Sequence, residues 1–491
     1  MIAVAAVLTG GGCRHEPEGA APALAGSEAV AGSETDAARR ARAAKVCTGF
    51  EIGPQPWDQR MAQMTPVAAR DSASAAEPAL RGARQLTAPE MFLRAGEAYF
   101  DHASPPRRIV FQAIPRPKEG DSPDSGYSMF VATLVRDGAG AVTGIGSSVR
   151  VSLPGSHNTC AWFDPQDSDR LVFATTITAP APSDAPGYSK DRGRYSWQFP
   201  AEMDVHSISL ASVNAKAAAG SALSPGDYTR LIASPGYDAE GSLSPDGRYY
   251  LYTHVEPGAR DPDIKMLDLK TRQTFPMVVA PGYDGGPFFH PDWPRTPLIC
   301  YRSDRKGDNN LQVYVAEVKL DAEGLPQGLT AEVKITDDDG VVNWAPFWTR
   351  DGKGLVFTSS LVGHDNYEVF RIGVDWERLR DANARDDKAS TTLAPAARKI
   401  QNESIDAAIN ALADARARRV RITNAAGFDG LPAFSDDGTL MMWTSQRGGT
   451  IAGEARPSSQ LWIAKYDANA EMPHYVTAPP PASTPQPENR Q

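Results

Sequence analysis

Polar side chains that could act on a ligand recur at one register of this 491-residue chain. Asn158, Asp238, Asp284, Asn343 and Asp429 each stand five residues before a bulky apolar marker, and Glu97 and Glu240 hold the register two places further along. Carboxylates drawn to one opening repel each other and hold their protons more tightly unless a cation intervenes. Such a site would take a basic peptide segment, an amine or a divalent ion. The same Asp and Asn side chains also fold back readily to cap their own turns. Two functional classes follow. One is a non-enzymatic binding or scaffold protein presenting these residues at a channel mouth. The other is a hydrolase or lyase using the carboxylates, with or without a divalent metal.

Other sequence features favour the first class. There is no Gly-x-Ser-x-Gly elbow, no His-Glu-x-x-His pair and no Gly-x4-Gly-Lys loop. The eight histidines are scattered; His102, His157, His254, His290 and His364 fall near strand ends or turns and have no visible partner ligands. Asp337-Asp338-Asp339-Gly340 is acidic but lacks the spaced ligands of a calcium loop, so it reads as a solvated turn. No catalytic residue and no resident metal or cofactor is expected, beyond a divalent cation that the acidic register could hold. With 60 acidic against 50 basic side chains, a net charge of −10, the chain does not offer the clustered cations of a nucleic-acid binder.

The elements that position this register repeat. Glycine and proline, 42 and 40 residues, punctuate the chain in the manner of many short strands joined by turns. Six units are marked by Phe100, Phe163, Leu243, Phe289, Trp348 and Phe434. A strand ends at each marker, and a turn (Asp246-Gly247, Asp351-Gly352 and Asp437-Gly438 in the clearest copies) leads into an apolar second strand. Alternating third strands follow at Tyr127 to Leu134, Met203 to Leu210, Ile264 to Leu269, Leu311 to Val318, Tyr367 to Val374 and Leu461 to Tyr466. Brief fourth strands are read at Arg150 to Leu153, Lys334 to Thr336 and Arg421 to Thr423. Four antiparallel strands per unit, six times over, predict an all-β fold, a six-bladed β-propeller. The Ala/Arg/Asp-rich insertion 376–419, between blades five and six, is predicted to be partly helical, with Ile405, Ala408, Ile409 and Leu412 at helical spacing. Ring closure needs one extra outer strand. Arg84 to Thr87 at the N-terminal side is preferred over His474 to Thr477.

The blade starts Tyr237 to Glu240, Tyr283 to Phe289, Asn343 to Phe347 and Phe428 to Pro432, with the aromatic insertion Tyr195 to Pro200, carry a family resemblance. The span Arg84 to Asp467 resembles exported bacterial TolB-like proteins with WD40-like repeats. That resemblance implies a six-bladed propeller and a place in the cell envelope; it implies no particular chemistry, because one propeller hosts many functions.

Four cysteines occur without a CxxC pair. Cys13 follows the apolar run Ile2 to Leu8 and Gly10 to Gly12, which resembles a lipobox, so residues 1–13 read as a shortened signal segment and Cys13 as a lipidation site. Residues 14–80 are Ala, Gly, Ser, Glu and Pro with few aromatics and read as a flexible tether; 81–477 is the propeller and 478–491 a Pro-rich tail. The expectation is an exported, periplasmic or lipid-anchored monomer that binds an envelope protein, peptide or glycan through one face of its channel, meeting the membrane only through its lipid.

Overall fold

A computed structural model describes residues 77–475, apart from 181–187, 192–193, 198, 260, 384–413, 417 and 451–452. The lipobox with Cys13, most of the tether, the apolar stripe Ile405 to Leu412 and the Pro-rich tail lie outside the described residues. In chain order, strand β1 (Leu80–Gln85) precedes blade one, β2 to β5 (Phe92–Phe100, Arg108–Pro115, Ser128–Arg136, Val142–Arg150). Blade two begins with β6 (Asn158–Phe163) and β7 (Arg170–Thr175), extrudes the hairpin β8–β9 (Tyr188–Asp191, Arg194–Trp197), and continues with β10 (Asp204–Ser209), helix α1 (Leu210–Ala218) and β11 (Tyr228–Arg230). Blade three is β12 to β15 (Tyr237–Leu243, Tyr249–Val255, Asp263–Asp268, Thr274–Val278), and blade four β16 to β19 (Asp284–Phe289, Leu298–Ser303, Gln312–Leu320, Pro326–Lys334). Blade five is β20 to β22 (Asn343–Trp348, Gly354–Ser359, Glu368–Gly373), helix α2 (Trp376–Asn383) and β23 (Val420–Arg421). Blade six is β24 to β26 (Asp429–Phe434, Leu440–Ser445, Gln460–Tyr466). Each blade is one four-stranded antiparallel sheet, and β1 supplies the outer strand of blade six, so the N-terminal strand closes the ring.

The closing strand starts earlier than the sequence suggests. Leu80 already pairs with Tyr466, and Glu77 is buried against Arg447, so the body reaches into the segment read as tether. His474, the other closure candidate, instead makes a single bridge to Val420 at the edge of blade five.

The fourth strands of blades one and four also differ from expectation. β5 and β19 lie before the predicted segments, because their polar, glycine-containing sequences (VTGIGSSVR and PQGLTAEVK) lack the apolar alternation that marks a strand. The predicted segments have another role. The Ser or Thr hydroxyls of Thr87, Ser152, Thr336 and Thr423 accept the backbone N–H of Leu461, Met129, Val313 and Val369, pinning the end of each outer strand to the third strand of its blade.

Packing between blades supplies the core. Phe92, Phe111 and Phe130 meet edge to face or offset, with ring centroids 5.2–5.7 Å apart, and pack with Leu440, Met442 and Ile463 across the closing junction. At the inner hairpins, the hydroxyls of Ser244, Thr349 and Ser435 donate to Asp246, Asp351 and Asp437, and Gly247, Gly352 and Gly438 take the left-handed conformation that ends the turn. α1, not foreseen in the sequence, is capped by Ser209, which accepts from Ser212 N.

Candidate functional site

Every innermost strand carries a bulge three residues before its marker. The six residues there, Glu97, Cys160, Glu240, Gly286, Ala345 and Leu431, all have positive φ, between 40° and 57°. Five of the six are not glycine, so the ring of blades holds them in a conformation that side chains disfavour. Part of the hold is visible. Glu97 N, Gly286 N and Leu431 N donate to the hydroxyls of Thr444, Thr253 and Thr358 on the second strand of the preceding blade.

The polar register resolves into two groups. Asn158, Asp238, Asp284, Asn343 and Asp429 are the first residues of their strands or next to it, and all are buried. Asn158 donates to Tyr127 O and Ser156 O; Asn343 bonds Gln312, Asp338 and Ser359. Asp238 accepts from Ser234 Oγ at 2.6 Å and His254 Nδ1 at 2.7 Å, and His254 Nε2 lies 3.0 Å from Glu256. Asp284 accepts from Arg305, which also pairs with Glu332, and Asp429 accepts from Trp443 Nε1 and Arg447. These side chains are buried and engaged within their blade or by the preceding one, although Asp284 Oδ2 has no hydrogen-bond partner among the described residues, so they do not form the exposed channel mouth that their spacing suggests. The reason is that buried polar groups take partners from the strands around them, here Arg305, Arg447, His254 and Gln312 among others.

Glu97 and Glu240, at the bulges, do turn toward the axis, but they are sealed there. Glu97 accepts from Tyr99 Oη (3.1 Å), Thr159 Oγ1 (3.2 Å) and Cys160 Sγ (2.8 Å). Glu240 accepts from Arg302 Nη2 at 2.7 Å and from the Tyr283 hydroxyl. Arg302 was not singled out by sequence. It occupies the second-strand position where Thr253, Thr358 and Thr444 stand in other blades, and it reaches the axis because Gly286 has no Cβ: one placed there would collide with the guanidinium. A charged residue at a position that is otherwise Gln112, Ala174 or threonine was the available signal. Burial, then the charge of Glu97, lifts the Tyr99 phenol well above its ordinary value, and burial does the same to Cys160 and Tyr283. These donors therefore stay protonated and keep bonding the carboxylates.

Burial also leaves a pH signature. It raises Asp284 from 3.8 to about 6, against the pull of Arg305. The native carboxyl holds its proton more tightly than the unfolded one, so this cost is absent below pH ~4, grows as pH rises to about 6, and then stays constant. At 1.36 kcal/mol per unit it reaches about 2–3 kcal/mol. Thermal melts across this interval are expected to show wild-type stability declining relative to Asp284→Asn, whose amide keeps an oxygen for Arg305. Parallel curves would show that Asp284 does not titrate in this way.

On the hairpin side of this charged layer, one residue before each marker, Tyr99, Trp162, Phe288 and Phe347 from blades one, two, four and five meet around the axis. Tyr99 and Trp162 stack with centroids 4.7 Å apart, and Phe288 and Phe347 meet at 5.3 Å. Trp162, Phe288 and Phe347 remain partly open to solvent. Above them lies a cavity of about 100 Å³, whose charged lining groups are His102, Arg350 and Asp436. At the opposite end, Phe199 beside the blade-two hairpin packs on Tyr237 and Tyr283, with centroids 5.1 and 6.4 Å away. The aromatic cup is an accessible recess on the axis; it was missed because its residues read in sequence as ordinary inward-facing strand positions. Among the described residues, no group of three or more His, Cys, Asp or Glu is arranged to hold a metal ion, and no helix is long and apolar enough to cross a membrane.

No family model and no curated protein matches the chain. Solved structures do. TolB from Acinetobacter baumannii is 15% identical over 77% of this chain and 65% of its own, with a TM-score of 0.35. A protein assigned as TolB from Agrobacterium tumefaciens is 13% identical over 59% and 79%, with a TM-score of 0.36. Oligogalacturonate lyase from Vibrio parahaemolyticus is 10% identical over 83% and 97%, with a TM-score of 0.40. By its own strand order the chain is a six-bladed β-propeller, and TolB propellers are among the solved structures to which it is similar.

Proposed function

We propose that this chain is a non-enzymatic, monomeric binding protein of the cell envelope. Its recognition site is the aromatic cup on the hairpin face, which receives a ring, prolyl or aromatic, projecting from a partner polypeptide. The observation that carries this reading is the convergence of four aromatic side chains from four blades beneath an open cavity of about 100 Å³. An apolar cavity of ~150 Å³ holds a benzene ring, so a recess of this size suits part or all of one ring. Aromatic residues in recesses also dominate binding energy at interfaces. Glu97 and Glu240 lie beneath the cup with their oxygens engaged, which supports a structural role for them over a hydrolytic or eliminating one. The test is peptide display against the purified propeller. Selected peptides are expected to share a ring-bearing residue and to lose affinity for a folded Trp162→Ala variant; peptides that bind both proteins equally would remove the cup from the reading.

Export belongs to the same proposal. Expressed with a basic segment ahead of Met1, the protein is expected to be membrane-associated and sensitive to globomycin, and Cys13→Ser to release it. A cytoplasmic product from the extended gene would contradict export.

A further inference from the structure

The rim of the cup is charged in a way that the acidic register does not suggest. His102, in the first hairpin of blade one, bridges two neighbouring blades. Its Nδ1 lies 2.9 Å from Asp436 Oδ2 in blade six, and its Nε2 lies 3.0 Å from the carbonyl oxygen of Phe163 in blade two. An ionised carboxylate and a backbone carbonyl can only accept, so both ring nitrogens must donate, and the ring that satisfies both is the imidazolium. Arg350, from blade five, donates Nε to the Asp436 carbonyl and holds Nη1 3.5 Å from its carboxylate, leaving Nη2 without a bond to a described residue. The cavity lining thus carries two cations, His102 and Arg350, against one anion, Asp436. We infer that the cup selects ring-bearing anions, and that protonation of His102 sets how strongly it does so.

The surrounding charges are either ion-paired or, like Asp351 and Asp437, lie outside the cavity lining. On the His102 hairpin, Asp101 binds Arg108 and Arg107 N; in blade two, Asp164 binds Arg170 and Gln166 N. In blade six, Asp437 is taken up by Ser435 and Thr439, and in blade five Asp351 by Thr349 and Lys353 N. Burial opposes the charge on His102, but the bond and charge of Asp436 and the Phe163 carbonyl outweigh it and raise its pKa above the ordinary value. Burial likewise opposes ionisation of Asp436, and the bond and charge of His102 together with Arg350 reverse that and lower its pKa. Once pH rises past the His102 titration, the ring loses one donor and the cavity lining becomes neutral.

This inference rests on the cup being the binding site, and simple probes separate the two claims. Benzoate, benzyl alcohol and benzylamine present one ring with negative, neutral and positive charge, and the two ions keep their charge between about pH 5.5 and 8. Binding is read by saturation-transfer NMR, with Trp162→Ala as the control for location. At the lower pH, benzoate is expected to bind about tenfold more tightly than benzylamine, a difference of ~1.4 kcal/mol, with several-fold of that advantage lost at the higher pH. His102→Gln should give the weaker benzoate affinity at both pH values. If that variant does not fold, the midpoint of the benzoate pH profile should still coincide with titration of the 13C-labelled His102 ring in the wild type. Equal binding of all three probes at both pH values would overturn charge selection and leave the cup standing. Failure of every probe to bind would overturn both claims. Benzoate binding with peptide selection indifferent to Trp162 would overturn the polypeptide partner alone.

Discussion

Replacing Arg302 by methionine is expected to destabilise the propeller by about 3–5 kcal/mol, a large share of a domain's net stability. The guanidinium and Glu240 are both buried, with side chains 3% and 0% exposed and atoms 2.7 Å apart. Removing the cation leaves an uncompensated carboxylate at the axis, and a buried charge without its partner costs far more than the pair contributes. Arg302 also bonds the Tyr283 hydroxyl and lies over that ring, so the loss is shared among three side chains. The double variant Arg302→Met with Glu240→Gln should recover a substantial part, since both charges are then gone. Chemical denaturation midpoints of the two variants read the effect. A single variant as stable as the wild type would show that the pair carries little of the axial structure.

The second large effect concerns ring closure. Removing residues 1–76 is expected to leave the melting temperature within a degree or two, whereas removal through Pro89 should cost on the order of 5–10 kcal/mol and remove a cooperative melt. The longer deletion takes the whole of β1, including the pairs Leu80–Tyr466, Arg84–Ile463 and Gln85–Trp462. It also takes Glu77, whose carboxylate accepts twice from Arg447 at 2.8 Å and once from Asn424 N at 2.6 Å. Ladder bonds at about 1 kcal/mol each, burial of Leu80 at ~2 kcal/mol and a buried ion pair reach that total. The exposed edge of β26 then becomes a template for aggregation. A deletion ending at Gly82 should be intermediate, because Glu77 and Leu80 are lost while Arg84 and Gln85 still pair. Differential scanning calorimetry orders the three; identical melts would refute closure by β1.

What sequence conveyed best was the repeat. A marker residue, an Asp-Gly turn and an apolar second strand recur because each solves the same local problem: ending one strand, reversing, and burying the next between blades. The outer strands were harder to see. β5 and β19 are polar edges whose pairing is set by their neighbours, and pattern reading caught only the Ser or Thr that pins each outer strand's end. The register of Asp and Asn was legible as a register but not as a site, because spacing cannot tell a side chain that faces a channel from one buried against neighbouring strands. The electrostatic expectation changed with it, from an acidic mouth suited to cations to an aromatic cup whose lining bears His102 and Arg350 against Asp436 alone. Arg302 and the cup depend on which residues from different blades meet at the axis, which a single chain shows only once the ring is closed.

The central claim is that recognition takes place at the hairpin end of the axis, and a matched pair of aromatic deletions tests it most directly. Trp162→Ala opens the cup, and Phe199→Ala removes the ring that packs on Tyr237 and Tyr283 at the other end. Titration calorimetry with one display-selected peptide should show at least about tenfold weaker binding to Trp162→Ala, in line with an aromatic anchor worth ~2 kcal/mol, and a change within about twofold for Phe199→Ala. Loss of affinity in Phe199→Ala with full affinity in Trp162→Ala would contradict the account and move the site to the opposite mouth.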